Sequence, residues 1–140
     1  VKLEIPSELM RRPILVVDDM PAVRSIIRAM LEGFGFARIE EAEDGEQAWT
    51  LVRERQASGD QGSAFSMVLT DWLMPGLEGT DLVREIRSDP ATRSLPVLMI
   101  TSQGLREQWA EARSAGVTGF VVKPFDEKQL GQELSRIFGR

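Results

Sequence analysis

At 140 residues the chain is about the length of one average globular domain, so a second full domain has nowhere to fit. Hydrophobic residues make up 42% and charged residues 28%, the balance of an ordinary globule and not of a disordered or collagen-like chain. Its 22 acids against 17 bases give a net charge of −5, the wrong sign for gripping a nucleic-acid backbone, and the absence of Cys and His excludes disulfides, thiolate or imidazole metal sites, cysteine nucleophiles and Ser-His-Asp triads.

Residues 1–12 open with apolar-polar alternation at Val1, Leu3 and Ile5 and then meet Pro6, which suits an N-terminal extension built as an arm or an added strand, ahead of a domain over 13–140. The chain begins at Val1 and not at Met, as a processed product or a domain of a longer protein would. ILVV at Ile14 to Val17 is a first strand. Val23, Ile26, Ile27, Met30 and Leu31 then recur at helical spacing behind Pro21, a proline placed where a first helical turn tolerates it. RIEEA at Arg38 to Ala42 is polar and reads as an edge strand, and Ala48, Leu51 and Val52 mark a second helix. ASGDQGSA at Ala57 to Ala64 reads as a flexible loop. FSMVLT at Phe65 to Thr70 is the third strand, Leu82, Val83 and Ile86 the third helix, and VLMI at Val97 to Ile100 the fourth strand. Trp109, Ala112 and Ala115 give a weaker fourth helix, GFVV at Gly119 to Val122 a fifth strand, and Leu130, Leu134, Ile137 and Phe138 a fifth helix.

Five strands alternating with five helices predict an α/β fold with a doubly wound parallel sheet, whose ligands sit outside the carboxyl ends of the strands. Near-continuous apolar strands fit a sheet covered on both faces. The apolar runs fall far short of the roughly 20 residues that cross a bilayer, and no basic-then-apolar leader opens the chain, so a cytoplasmic protein without membrane insertion is expected.

The strand ends carry the chemistry. Asp18 and Asp19 follow the first strand and Asp71 the third, and a right-handed crossover puts those two strands side by side. Three convergent carboxylates with no nitrogen or sulfur ligand suit a hard cation such as Mg²⁺. Thr101 and Lys123 end the fourth and fifth strands, adding a hydroxyl and an ammonium to the same edge. A carboxylate nucleophile, a cation site, a hydrogen-bond donor and a fixed positive charge are the parts of phosphoryl transfer, with Asp71 the natural acceptor. Taken singly, each has a plain structural reading: Asp18 and Asp19 as helix-capping acids, Thr101 as a strand-end hydroxyl, Lys123 as a surface cation. Their joint order along the strands favours the functional one. Trp49, Trp109 and the methionines read as core or partner surface.

With those residues assembled, ILVVDD, EEAEDGEQA, DWLMPG, LPVLMITS and GFVVKPF resemble a response-regulator receiver domain, most closely the single-domain chemotaxis regulators. The resemblance implies strand order 2-1-3-4-5 in a flavodoxin-like sheet, and a two-component signalling role in which a histidine kinase donates the phosphoryl group to Asp71. It further implies Mg²⁺ held by Asp19 and Asp71 directly, by Asp18 through water and by the backbone carbonyl of Leu73. Thr101 and Phe120 stand at the switch positions, Lys123 at that of the phosphoryl-contacting cation, and Pro124 where the family commonly has a cis peptide. By the same resemblance, the protein partner binds the face formed by the fourth helix, fifth strand and fifth helix. Such a domain catalyses its own phosphotransfer and dephosphorylation and is not otherwise an enzyme. Leu73 and Gln103 stand at two variable positions beside the site, and Phe120 lacks the hydroxyl of a tyrosine.

Three other readings compete. A hydrolase of the haloacid dehalogenase type needs Asp-x-Asp after the first strand, where this chain has adjacent Asp18 and Asp19. A flavin-mononucleotide binder needs a phosphate loop at that place, and two carboxylates would repel the phosphate. A receiver-fold interaction scaffold that works without phosphorylation is the alternative that fits the same residues.

Overall fold

A computed structural model describes residues 5–60, 62–72, 77–102 and 106–138, the last segment with backbone alone at 106–108. Five strands, β1 (Ile14–Val17), β2 (Ile39–Ala42), β3 (Met67–Asp71), β4 (Val97–Thr101) and β5 (Gly119–Val122), alternate with helices α2 (Pro21–Phe34), α3 (Gly45–Ala57), α4 (Gly79–Ser88), α5 (Arg106–Ala115) and α6 (Glu127–Phe138). A short helix, α1 (Ser7–Arg11), precedes them. The sheet is wholly parallel in the order β2-β1-β3-β4-β5, as the resemblance implied. The helices predicted as first to fifth are α2 to α6.

The strands are buried on both faces because alternate side chains feed two separate cores. Leu15, Val17, Val68 and Met99 point into one, closed by Ala48 and Val52 of α3, Leu82 and Ile86 of α4 and Ala112 of α5. Ile14, Val16, Met67 and Leu98 point into the other, closed by Ile27 and Leu31 of α2 and Leu130 and Leu134 of α6. β2 lies at an edge, where its Glu40 and Glu41 remain partly exposed, as its polar sequence required.

Two expectations change. Ser7 to Arg11 forms a helix and no added strand: Pro6 and Leu9 carbonyls accept the N–H groups of Leu9, Met10 and Arg12, which turns Met10 against the core and leaves its own carbonyl for Ala37 N–H. The expected loose loop is tied down among its described residues: the carbonyls of Ala64, Gly62 and Ser63 accept from Arg12, Arg38 and Arg55, and the Asp60 carboxylate accepts from Gly62 N–H and Ser63 Oγ. At the sheet edge where the strands begin, Leu9 and Arg12 line the same cavity as Ser66, Pro96 and Phe138, a space of about 410 Å³.

Asp71 and Thr101 are the final residues of their strands rather than the residues beyond them. Gly79 makes this possible for β3, since its N–H bonds the Trp72 carbonyl at 2.9 Å and a β-carbon there would strike the Asp71 carbonyl.

Candidate functional site

The parallel register brings β1, β3, β4 and β5 to a common carboxyl edge, with Val17 beside Thr70, Asp71 beside Ile100 and Thr101 beside Val122. There one carboxylate oxygen from each of Asp18, Asp19 and Asp71 lies within 4.8 Å of the others. The three differ in setting: Asp18 is buried, Asp71 partly so and Asp19 exposed. Asp18 Oδ1 accepts the Met20 N–H at 2.9 Å and Asp71 Oδ1 the Trp72 N–H at 2.8 Å, which fixes both carboxyl planes.

Lys123 supplies the positive charge. Its Nζ lies 3.5 Å from Asp18 Oδ2 and 3.6 Å from Asp71 Oδ2, bridging the two strand ends. Its own N–H donates to the Thr101 carbonyl at 2.7 Å, and its bond to Pro124 is cis. Burial pushes the Asp71 carboxyl above its ordinary value, the Asp18 charge adds to the rise, and Lys123 opposes it. One ammonium among three carboxylates leaves the cluster short of positive charge, and the donor set is all oxygen. Those residues fit a hard divalent cation of the Mg²⁺ type.

Thr101 is fully buried at the end of β4. Phe120 is half-buried on β5, stacked on Trp109 of α5 with ring centroids 5.8 Å apart, and its N–H donates to Glu133 Oε2 of α6 at 3.1 Å. Of the residues expected at the site, Asp18, Asp19, Asp71 and Lys123 are therefore brought together, Thr101 ends the adjacent strand and Phe120 lies one strand further out. Leu73 and Gln103 lie outside the described residues. Three polar partners escaped the sequence reading: Arg24, whose Nη1 donates to the Asp18 carbonyl at 2.6 Å, Glu41, which accepts from Arg24, and Glu133. An arginine six residues after Asp18 is the only signal, and it gives no hint of its Glu41 partner.

Residues 14–135 match the family model of the response regulator receiver domain. The chain is 44% identical over 127 residues to the chemotaxis protein CheY-3 of Vibrio cholerae, covering 91% of this chain and 92% of that one. Among solved structures, chemotaxis protein CheY4 of Vibrio cholerae superposes with a TM-score of 0.78 at 28% identity, over 90% of this chain and 98% of the other. The receiver domain of a sensor histidine kinase from Pseudomonas aeruginosa PAO1, solved with a magnesium ion coordinated in its active-site cleft, gives 0.76 at 29% identity, over 92% and 98%. Sheet order, a carboxylate cluster at the strand ends and relatives spanning nearly the whole length agree, and the chain belongs to the response regulator receiver family, the phosphorylation-activated regulators of chemotaxis-like two-component signalling.

Proposed function

We propose that Asp71 is the phosphoacceptor of this receiver, taking its phosphoryl group from the phosphohistidine of a kinase. A carboxylate oxygen of Asp71 attacks phosphorus, the P–N bond breaks, the imidazole leaves and takes up a proton, and an acyl phosphate remains on Asp71. The observation that carries this reading is the 3.6 Å approach of Lys123 Nζ to Asp71 Oδ2 beside two further carboxylates at one sheet edge. Lys123 stands where it can follow the charge from carboxylate to phosphoryl oxygen, and the Trp72 N–H holds the other Asp71 oxygen.

Asp18, Asp19 and Asp71 would hold Mg²⁺, with the Leu73 carbonyl as the further ligand that the family pattern implies. When bound, the ion offsets the charge gathered on the phosphoryl oxygens. A phosphoryl group brings roughly two negative charges. The Thr101 hydroxyl is the donor that turns towards it, and space vacated by Thr101 is taken by the ring of Phe120. That movement alters the face made by α5, β5 and α6, where Phe120, Gln129, Gln132, Glu133 and Arg136 border a shallow depression suited to a protein target.

Acetyl phosphate with Mg²⁺ is expected to add one phosphoryl mass to the chain, removable by hydroxylamine and absent from Asp71→Asn. Undiminished labelling of Asp71→Asn would overturn the assignment, and an unlabelled wild type that still binds its target would favour the phosphorylation-independent scaffold.

A further inference from the structure

The peptide plane between Asp18 and Asp19 is gripped from outside the carboxylate cluster. Arg24, one turn into α2, sends Nη1 to the Asp18 carbonyl at 2.6 Å and Nε to Glu41 Oε1 at 2.8 Å. Glu41 Oε2 in turn accepts from Arg28 Nε at 2.7 Å, and Arg28 Nη2 donates to the Ile39 carbonyl at 2.7 Å. The Arg24 side chain is only 14% exposed, so the contact is sheltered from solvent competition. On its other sides Asp18 is held by its N–H to the Ala42 carbonyl at 3.2 Å and by its carboxylate to Met20 N–H.

The geometry points to Arg24 as a positioning residue for the cation site, with Glu41 of the edge strand holding its guanidinium in place. The inference rests on the reading of Asp18, Asp19 and Asp71 as Mg²⁺ ligands. The carbonyl that Arg24 bonds belongs to the planar unit joining Asp18 to Asp19, so fixing it fixes the direction in which both side chains leave the backbone. Asp19, exposed and with no carboxylate hydrogen bond among the described contacts, depends most on that plane. Without Arg24 the plane can rotate, and the carboxylates must be ordered as the ion binds, which costs affinity. Charge alone has the opposite sign: a guanidinium near a cation site repels the ion, so a purely electrostatic Arg24 would weaken Mg²⁺ binding and its removal would strengthen it.

That opposition makes the test decisive. Mg²⁺ affinity is measured on the full chain by Trp72 fluorescence and by calorimetry, beside the thermal midpoint, for wild type, Arg24→Met, Arg24→Lys and Arg28→Met. Arg24→Met is expected to weaken Mg²⁺ binding about tenfold. Arg24→Lys keeps the charge and the stem but cannot span the Asp18 carbonyl and Glu41 together, and should weaken it in the same direction, which preserves the test if Arg24→Met fails to fold. Arg28→Met also strips a donor from Glu41 and should lower the thermal midpoint while leaving Mg²⁺ affinity unchanged. Tighter or unchanged binding in the Arg24 variants overturns the inference, as does equal weakening in Arg28→Met. A wild type with no Mg²⁺ response overturns the cation reading itself, and the positioning role with it.

Discussion

The hydrogen bond from Arg28, and after it that from Arg24, holds the Glu41 carboxyl below the usual carboxylate range. A carboxyl depressed by folding contributes stability that is fully present above its unfolded value near 4.5 and is lost as pH falls through the lower folded value. The pH at which wild type and Glu41→Gln converge in urea midpoint should therefore lie below 4.5, with wild type the more stable at neutral pH; a gap independent of pH would show that the carboxylate charge contributes nothing. Single residues also divide into those that the sequence discloses and those that it hides. Asp18, Asp71, Thr101 and Lys123 were legible because each ends an apolar run, and a parallel sheet sends all such ends to one edge. The link from Glu41 to Arg24 was not, since it depends on β2 lying beside β1 with Glu41 opposite Val16, a register that local pattern does not encode.

At the scale of elements, the approach of α4 to the end of β3 depends on one missing side chain. A β-carbon at Gly79 would collide with the Asp71 carbonyl and lie 3.1 Å from Trp72 Cα. Gly79→Ala should cost about 1–3 kcal/mol of stability, read from denaturant midpoints, and should slow labelling of Asp71 by displacing its backbone. Normal stability and normal labelling together would mean that the helix start shifts freely. The strands and the five main helices were readable from periodicity, because each buries an unbroken apolar stripe. Helix α1 was missed for a physical reason: its five residues bury none of their number completely, so no apolar period announces it, and its backbone hydrogen bonds to Pro6 and Leu9 leave no pattern in the side chains. The start of α6 was also written plainly, in Asp126 and Gln129, which exchange reciprocal side-chain to N–H bonds at 2.8 and 2.9 Å as a capping box.

Across the whole molecule, the acidic edge and the Phe120 face communicate through β4 and β5, joined at their ends by the Lys123 N–H to the Thr101 carbonyl. Phosphorylation shifts a population between two arrangements by as much as the phosphoryl group prefers one of them. In a chain whose only tryptophan is Trp109, labelling should change the emission, because Phe120 leaves the stack; Thr101→Ala in that background should accept phosphate on Asp71 and lose the change. A full change without the hydroxyl would route the coupling through Lys123 alone. The opposite edge has its own logic. Leu9 of the first helix and Phe138 of the last line one cavity together with Ser66 and Pro96, at the far side of the sheet from the carboxylates. Cargo fused ahead of α1 or behind α6 therefore leaves the molecule from a shared exit, and a donor protein approaching Asp71 meets no tether in its path.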